Sequence, residues 1–366
     1  MGNAAQGEYT MDILTKKLNS LAKRSQTSQQ YRELTIAALR EALPFEAACC
    51  SAVDPITLLS TGAVTEDGVE TIHNKLLESE YVHDDINVYS DLVRSEIMVA
   101  TLYQSTNGQP EQSERYRGVL KPAGFGDELR AILITDGACW GHLTLFRTSE
   151  QPPFSQGEMD LIRTTAPIIA TELRRFTLTL PEAGNAVNKN SDPGMMTIST
   201  GLVPLASNYA ASEWLQLLRQ WENISSDQLP RPIQAVSVRA LADTDLPSSA
   251  SMPAAKVCLR IPDGTYLTLR ASKLNGLVGE NCIVLSFEIA KPSDILPLIA
   301  KAYDLTPRET DIAEQIFRGC STKEIASTLH ISAYTVQDHL KSIFDKTNVN
   351  SRRELVWQLF TRYAIE

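Results

Sequence analysis

The sequence offers few of the means for metal chemistry, disulfide stapling or membrane insertion. Its six cysteines (Cys49, Cys50, Cys139, Cys258, Cys282 and Cys320) include no C-x-x-C pair. Its five histidines show neither H-x-x-x-H nor H-E-x-x-H spacing. A zinc framework and a disulfide scaffold are therefore excluded, and the thiols are expected to be reduced and mostly buried. Apolar runs such as Cys282 to Leu285 fall far short of the roughly 20 residues that span a bilayer. Glu8 and Asp12 stand where a secretory leader would be apolar, so the expected compartment is the cytoplasm, with no membrane partner. No G-x-S-x-G, no G-x-x-x-x-G-K-[ST] and no Rossmann glycine pattern occurs, which argues against an enzyme and gives no cofactor to expect.

What the chain does have is length. Its 366 residues, at about 150 per domain, predict two to three domains with cores of their own. Net charge is -10, which by itself argues against nucleic acid. The excess acid is unevenly placed, however. Residues 302–366 hold eight Lys/Arg against nine Asp/Glu, and between Lys323 and Arg353 five basic residues face three acidic ones.

Several stretches can be read locally. Ile13, Leu14, Leu18 and Leu21 recur at helical spacing, and a second helical pattern runs from Tyr31 to Leu43 before Pro44. Phe45 to Val53 reads as a buried strand. Leu129 to Phe146 reads as a hairpin, because Asp136-Gly137 is a preferred pair for a primed two-residue turn. Ser155-x-x-Glu158 is a capping box that opens a helix through Leu173, bent at Pro167. Residues 181–194 are rich in Pro, Gly and Asn and almost without apolar side chains, as in an interdomain linker. Beyond them a helix carries Trp214, Leu217, Leu218 and Trp221 on one face. Strands are expected at Ala235 to Ala240, Val257 to Ile261, Tyr266 to Ala271 and Cys282 to Ile289, with a mobile Ser/Pro-rich loop at Asp243 to Ala255.

The C-terminal segment is the most explicit. Thr306-Pro307-Arg308-Glu309 and Ser321-Thr322-Lys323-Glu324 are capping boxes, Gly319 ends the first helix, and Ser332 caps a third helix that buries Val336, Leu340, Ile343 and Phe344. A fourth opens at Ser351-x-x-Glu354 with Leu355, Val356 and Leu359. Two short helices joined by a tight turn place the second in a DNA major groove. Its outward face carries Tyr334, Thr335, Gln337, Asp338 and Lys341: Gln suits adenine, Lys suits guanine, and a Thr methyl packs on thymine. Lys323, Lys346, Arg352 and Arg353 are placed for phosphates, and Thr322, Ser332 and His339 complete the candidate DNA-binding set.

These residues carry a resemblance. Leu305-Thr306-Pro307-Arg308-Glu309, Gly319 through Ala326, Ile331-Ser332, Thr335-Val336 and His339 resemble the helix-turn-helix of LuxR/NarL-type transcription regulators. Gln337 departs from the usual Lys after Thr-Val, and Asp338 beside it removes further positive potential. The resemblance implies double-stranded promoter DNA as partner and a homodimer joined through the last helix, here Leu355 and Leu359. Ser113 to Arg117, Leu120 to Arg130 and Trp140 to Leu145 resemble a GAF domain. The middle unit, with Asn208-Tyr209-Ala210-Ala211 opening its helix and Asp263-Gly264 before its later strands, resembles a PAS domain.

The fold expected is a multidomain α+β chain: an N-terminal helix and tail (1–28), a GAF-like α/β sensor (29–180), a linker (181–194), a PAS-like α/β sensor (195–292), a connector (293–301) and an all-α four-helix DNA-binding domain (302–366). Such sensors put a half-open sheet under helices and hold a small molecule in the gap, for which Tyr81, Tyr89 and Trp140 are the candidate lining. His73, His83 and His142 are expected to be ordinary surface or core residues rather than metal or haem ligands. Asp84-Asp85 follows Tyr-Val-His about 80 residues in, not an early buried strand, so a phosphoryl-accepting receiver is disfavoured. The function expected is a one-component transcription regulator controlled by a small-molecule effector, the alternative being control by a protein partner.

Overall fold

The computed structural model describes residues 2–81, 85–178, 192–242, 254–261, 264–275 and 281–356. The expected linker, the Ser/Pro-rich loop, His83, Asp84, Asp263 and Leu359 lie wholly or largely outside these residues.

The chain opens with two helices, α1 (Gly2–Arg24) and α2 (Ser28–Ala42). Leu14, Leu18 and Leu21 of α1 are buried against α2 and a later helix of the same chain, so this stripe is covered without a second copy. Strands β1 (Ala47–Val53) and β2 (Ser60–Thr65), short helices α3 (Asp67–Glu70), α4 (His73–Tyr81) and α5 (Tyr89–Arg94), β3 (Val99–Thr101) and α6 (Leu102–Ser105) follow. The long pair β4 (Phe125–Thr135) and β5 (Ala138–Thr148) and helix α7 (Gln156–Leu178) complete the unit. The β4–β5 turn is the expected one, with Asp136 at φ 47° and Gly137 at φ 68°, as a primed turn requires. Glu158 accepts from the backbone N–H of Ser155 at 2.8 Å and caps α7. The five strands form one antiparallel sheet in the order β2-β1-β5-β4-β3.

The second unit repeats that order. It comprises β6 (Gly194–Ser199), β7 (Pro204–Ser207), α8 (Tyr209–Glu222), α9 (Arg231–Ala242), β8 (Lys256–Arg260), β9 (Tyr266–Leu274) and β10 (Cys282–Ile289), with sheet order β7-β6-β10-β9-β8. The expected strand at Ala235 to Ala240 is instead part of α9. The reason is burial: α9 lies between the second sheet and the β2–α4 side of the first, with every residue from Arg231 to Ala240 buried. Val236-Ser237-Val238-Arg239-Ala240 alternates with a strand's period of two, and cover on both sides buries even Ser237 and Arg239 of the helix.

The segment expected as a connector is itself a helix, α10 (Pro292–Ala302), which buries Ile295, Leu296, Leu298 and Ile299 against α7 and β8. The C-terminal unit follows: α11 (Pro307–Phe317), α12 (Thr322–Thr328), α13 (Ala333–Thr347) and α14 (Arg352–Val356). Two antiparallel sheets with their helices, followed by an all-helical unit, make the mixed architecture the sequence implies. All six cysteines are free thiols. Among the described residues no helix is long and apolar enough to cross a membrane.

Candidate functional sites

The helical unit is built by its caps. Thr306 Oγ1 accepts from Glu309 N at 3.2 Å while Glu309 Oε2 accepts from Thr306 N at 2.8 Å. Ser321 and Glu324 repeat the exchange at 3.3 and 2.6 Å, and Ser332 Oγ accepts from Thr335 N at 3.0 Å at the head of α13. The turn between α12 and α13 needs a left-handed residue, supplied by His330 at φ 53°. Arg308 donates to Leu329 O at 2.5 Å and holds that turn against α11.

With Val336, Leu340 and Ile343 buried, α13 presents Tyr334, Gln337, Asp338 and Lys341 to solvent, while Thr335 and His339 are half-buried. Tyr334 is 77% exposed. Gln337 Nε2 lies 3.5 Å from Thr322 Oγ1, which ties the outward face of α13 to the start of α12. Lys323 is exposed. Neither Lys323 nor Lys341 is ion-paired among the described residues.

Three expected roles are altered. Lys346 reaches inward: its Nζ donates to Asp304 O at 2.6 Å and to Glu309 Oε2 at 2.8 Å, so it braces α13 against the head of α11 rather than standing free for a phosphate. Arg352 donates to Cys320 O and is likewise engaged with the backbone. Leu355 is fully buried, in an apolar cluster that continues through α10 into the first unit, so it has no surface to offer a second copy, and its expected partner Leu359 lies outside the described residues.

A cavity of about 70 Å³ lies in the first unit, between the sheet and α4. Its floor is Glu128 and Arg130 of β4 and His142 and Thr144 of β5; its roof is His73, Leu77, Glu80 and Tyr81 of α4, and Tyr89 closes one side. The charged residues are paired. Glu128 Oε1 accepts from Arg115 at 2.8 Å and from Arg130 at 2.9 Å, and Glu80 Oε2 accepts from Arg130 at 2.6 Å. Glu80 Oε1 also accepts from Tyr89 N at 2.6 Å, so one carboxylate fastens roof to floor. Burial would raise Glu128, but Arg115 and Arg130 hold its carboxyl below the usual range. The Tyr89 ring stacks on His142 at 3.9 Å and 5°, and its hydroxyl lies 3.0 Å from Leu143 O and 2.7 Å from Thr144 Oγ1. Burial, with Arg130 nearby, pushes His142 down to about 3; burial, with Arg231 nearby, takes His73 well below its ordinary value. Both imidazoles are therefore neutral. Among the described residues His73 Nδ1, His142 Nε2 and Glu128 Oε2 have no hydrogen-bond partner.

Of the three aromatic residues expected in the pocket, Tyr81 and Tyr89 line it and Trp140 does not. The β4–β5 register slips where Leu133 faces Gly141 and Ile134 faces Cys139. Trp140 is the extra residue, and the bulge turns its ring to the α7 side of the sheet among Leu143 and Leu145. The residues missed from sequence are Glu80, Glu128 and Arg130. The available signal was the charged Glu128 and Arg130 on one face of an otherwise apolar strand. Among the described residues no three His, Cys, Asp or Glu come together to hold a metal.

Four capped helices, the third carrying an exposed polar face after a tight turn, define a helix-turn-helix protein. Residues 304–358 match the family described as bacterial regulatory proteins, luxR family. Spore germination protein GerE of Bacillus subtilis (strain 168) is 37% identical over 62 residues, which are 17% of this chain and 84% of GerE. The chain belongs to the luxR family of bacterial regulatory proteins. The transcriptional regulatory protein ComA of the same organism is 46% identical over 52 residues, 14% of this chain and 24% of ComA. The chain therefore matches only about a quarter of ComA's length. The chain also aligns with the GAF domain of a phosphoenolpyruvate-protein phosphotransferase from Coxiella burnetii at 17% identity, covering 46% of this chain and 94% of that one, with a TM-score of 0.33.

Proposed function

We propose that the chain is a one-component transcription regulator, not an enzyme, in which a GAF-like and a PAS-like unit govern how a pair of helix-turn-helix domains occupies promoter DNA. The observation that carries this reading is the pairing, in one chain, of an exposed α13 face with a cavity whose wall holds unpartnered buried polar atoms. A small effector in that cavity would bear on α4, which packs against α9 of the second unit, and α10 joins both units to α11. A shift along that route alters the spacing of two recognition helices in a dimer, and with it the fit to two half-sites. Sequence would be read by Tyr334, Thr335, Gln337 and Lys341, and Lys323 and Thr322 would position the domain on the backbone.

Light scattering of the purified chain, with and without its own upstream DNA, and mass spectrometry of what denaturation releases test this. A dimer that shifts onto the DNA and releases a small molecule is the expected result. A chain that neither binds the DNA nor releases a ligand overturns it. Control by a protein partner is the second reading, favoured by Met195, Val203, Leu205 and Tyr209, which stand exposed beside the β6–β7 edge. On that reading the chain binds DNA but gives up no small molecule.

A further inference from the structure

The cavity of the first unit has a definite electrostatic character. Two carboxylates, Glu80 and Glu128, are matched by two guanidiniums, Arg115 and Arg130, through three ion pairs of 2.6 to 2.9 Å. All four side chains are at least nine-tenths buried. The two imidazoles that face this network add no charge. A ligand bearing a net charge would therefore enter a desolvated site whose charged lining residues are already matched, an arrangement that is strongly disfavoured. A carboxylate would in addition lie against Glu80 and Glu128.

Hydrogen bonding is unfinished in the same wall. Glu128 is 1% exposed, His142 6% and His73 7%, yet Glu128 Oε2, His142 Nε2 and His73 Nδ1 lack partners among the described residues, as do Nε and Nη1 of Arg115, which does not itself line the cavity. Buried polar atoms are rarely left unmatched. Glu128 Oε2 can only accept, so whatever completes it must donate; a neutral imidazole presents one donor and one acceptor nitrogen, and its tautomer can adapt. Tyr81, Tyr89 and Leu77 supply apolar walls around these atoms.

We infer that the cavity binds a small uncharged molecule that donates at least one hydrogen bond, such as an amide or an alcohol, to Glu128, with His73 and His142 completing its polar contacts. This rests on the cavity being the sensing site. The volume of about 70 Å³, where roughly 10–15 Å³ of such space holds one water, admits a small molecule of several heavy atoms.

Acetamide, acetate and acetamidinium have the same shape and differ in charge, so they separate the classes directly. The full chain, with nitrogen-labelled histidines, is titrated with each probe while the imidazole signals of His73 and His142 are followed. Acetamide is expected to shift both signals saturably, with a Kd at least tenfold below that of either ion, and His73→Leu is expected to weaken acetamide by about tenfold. Equal or tighter binding of acetate or acetamidinium overturns the inference. So does the absence of acetamide binding up to about 0.1 M, which would make the space a solvent-filled void. If His73→Leu fails to fold, His142→Phe, which keeps the stack on Tyr89, serves the same purpose. Failure of the chain to bind its DNA would fail the reading of the preceding section while leaving the ranking of the probes untouched.

Discussion

Glu309 shows how much of the DNA-binding unit hangs on one side chain. Its carboxylate accepts from Thr306 N, Ser342 Oγ and Lys346 Nζ at 2.8, 2.6 and 2.8 Å. Burial opposes ionisation, but these donors outweigh it and bring the group down from 4.5 to about 2. A depressed folded value contributes stability above the unfolded pKa and loses it as pH falls through the folded one. The helical unit is therefore expected to weaken between about pH 4.5 and pH 2. Glu309→Gln should cost about 1–3 kcal/mol at neutral pH and remove that part of the acid sensitivity, as read by denaturant melts. Glu222 has the opposite sign. It ends α8 beside α2 and β2 and accepts from Arg231 N at 2.8 Å. Burial raises it from 4.5 to about 7. Its contribution is complete below about pH 4.5 and is lost as pH rises through 7, so Glu222→Gln should stabilise the chain at pH 8 by roughly 1–3 kcal/mol and change little at pH 4.5. Neither group was legible in its site role from sequence. Glu309 could be read as half of a capping box, because that motif is local. Its tie to Lys346 and the raised Glu222 depend on residues brought together over long separations, which spacing does not encode.

At the scale of the element, the lysines of α12 and α13 divide between two tasks. Lys341 and Lys323 are exposed and Lys346 is braced inward, which gives three distinguishable outcomes. Lys341→Ala is expected to lower specific affinity by about 1–3 kcal/mol and relax preference at one base pair, in binding assays across operator variants. Lys323→Ala should weaken binding to all sequences alike and reduce the salt slope by about one. Lys346→Ala should leave the salt slope unchanged and lower the melting temperature. The start of every helix in this unit could be read in advance, since Ser, Thr and Glu at fixed offsets satisfy nearby amides. In the second unit α9 reads as a strand because Val236-Ser237-Val238-Arg239-Ala240 alternates apolar and polar residues, although the fold buries both sets. A single bulged residue in β5 likewise moved Trp140 from one face to the other, and an alternation rule has no means of locating such an insertion.

At the scale of the whole molecule, α10 is where the sheets and the DNA-binding unit meet. Asp294 at its head is 8% exposed and joins Lys256 of β8 at 2.5 Å, Arg270 of β9 at 2.9 Å and Thr268 Oγ1 at 3.2 Å. These donors hold its carboxyl below the usual range despite burial. Asp294→Asn is expected to raise the hydrogen-exchange rates of α10 amides several-fold while α12 and α13 keep theirs, because, of the C-terminal helices, it is α11 that packs on α10. Equal protection in both proteins would show that the apolar face of α10 alone fixes it. Helix α9 bears on a different matter. Tyr81 of the first unit receives Arg239 over its ring at 5.0 Å, Glu70 pairs with Arg231, and Asp54 accepts from Cys258 N at 2.9 Å. Regulators of this kind invite engineering by cassette exchange, with one sensor grafted onto another reader. Here a cut at the linker would part α9 from α4 and β2 and leave buried faces of both units uncovered, so the two sheet units must be inherited, transplanted and redesigned as a single part.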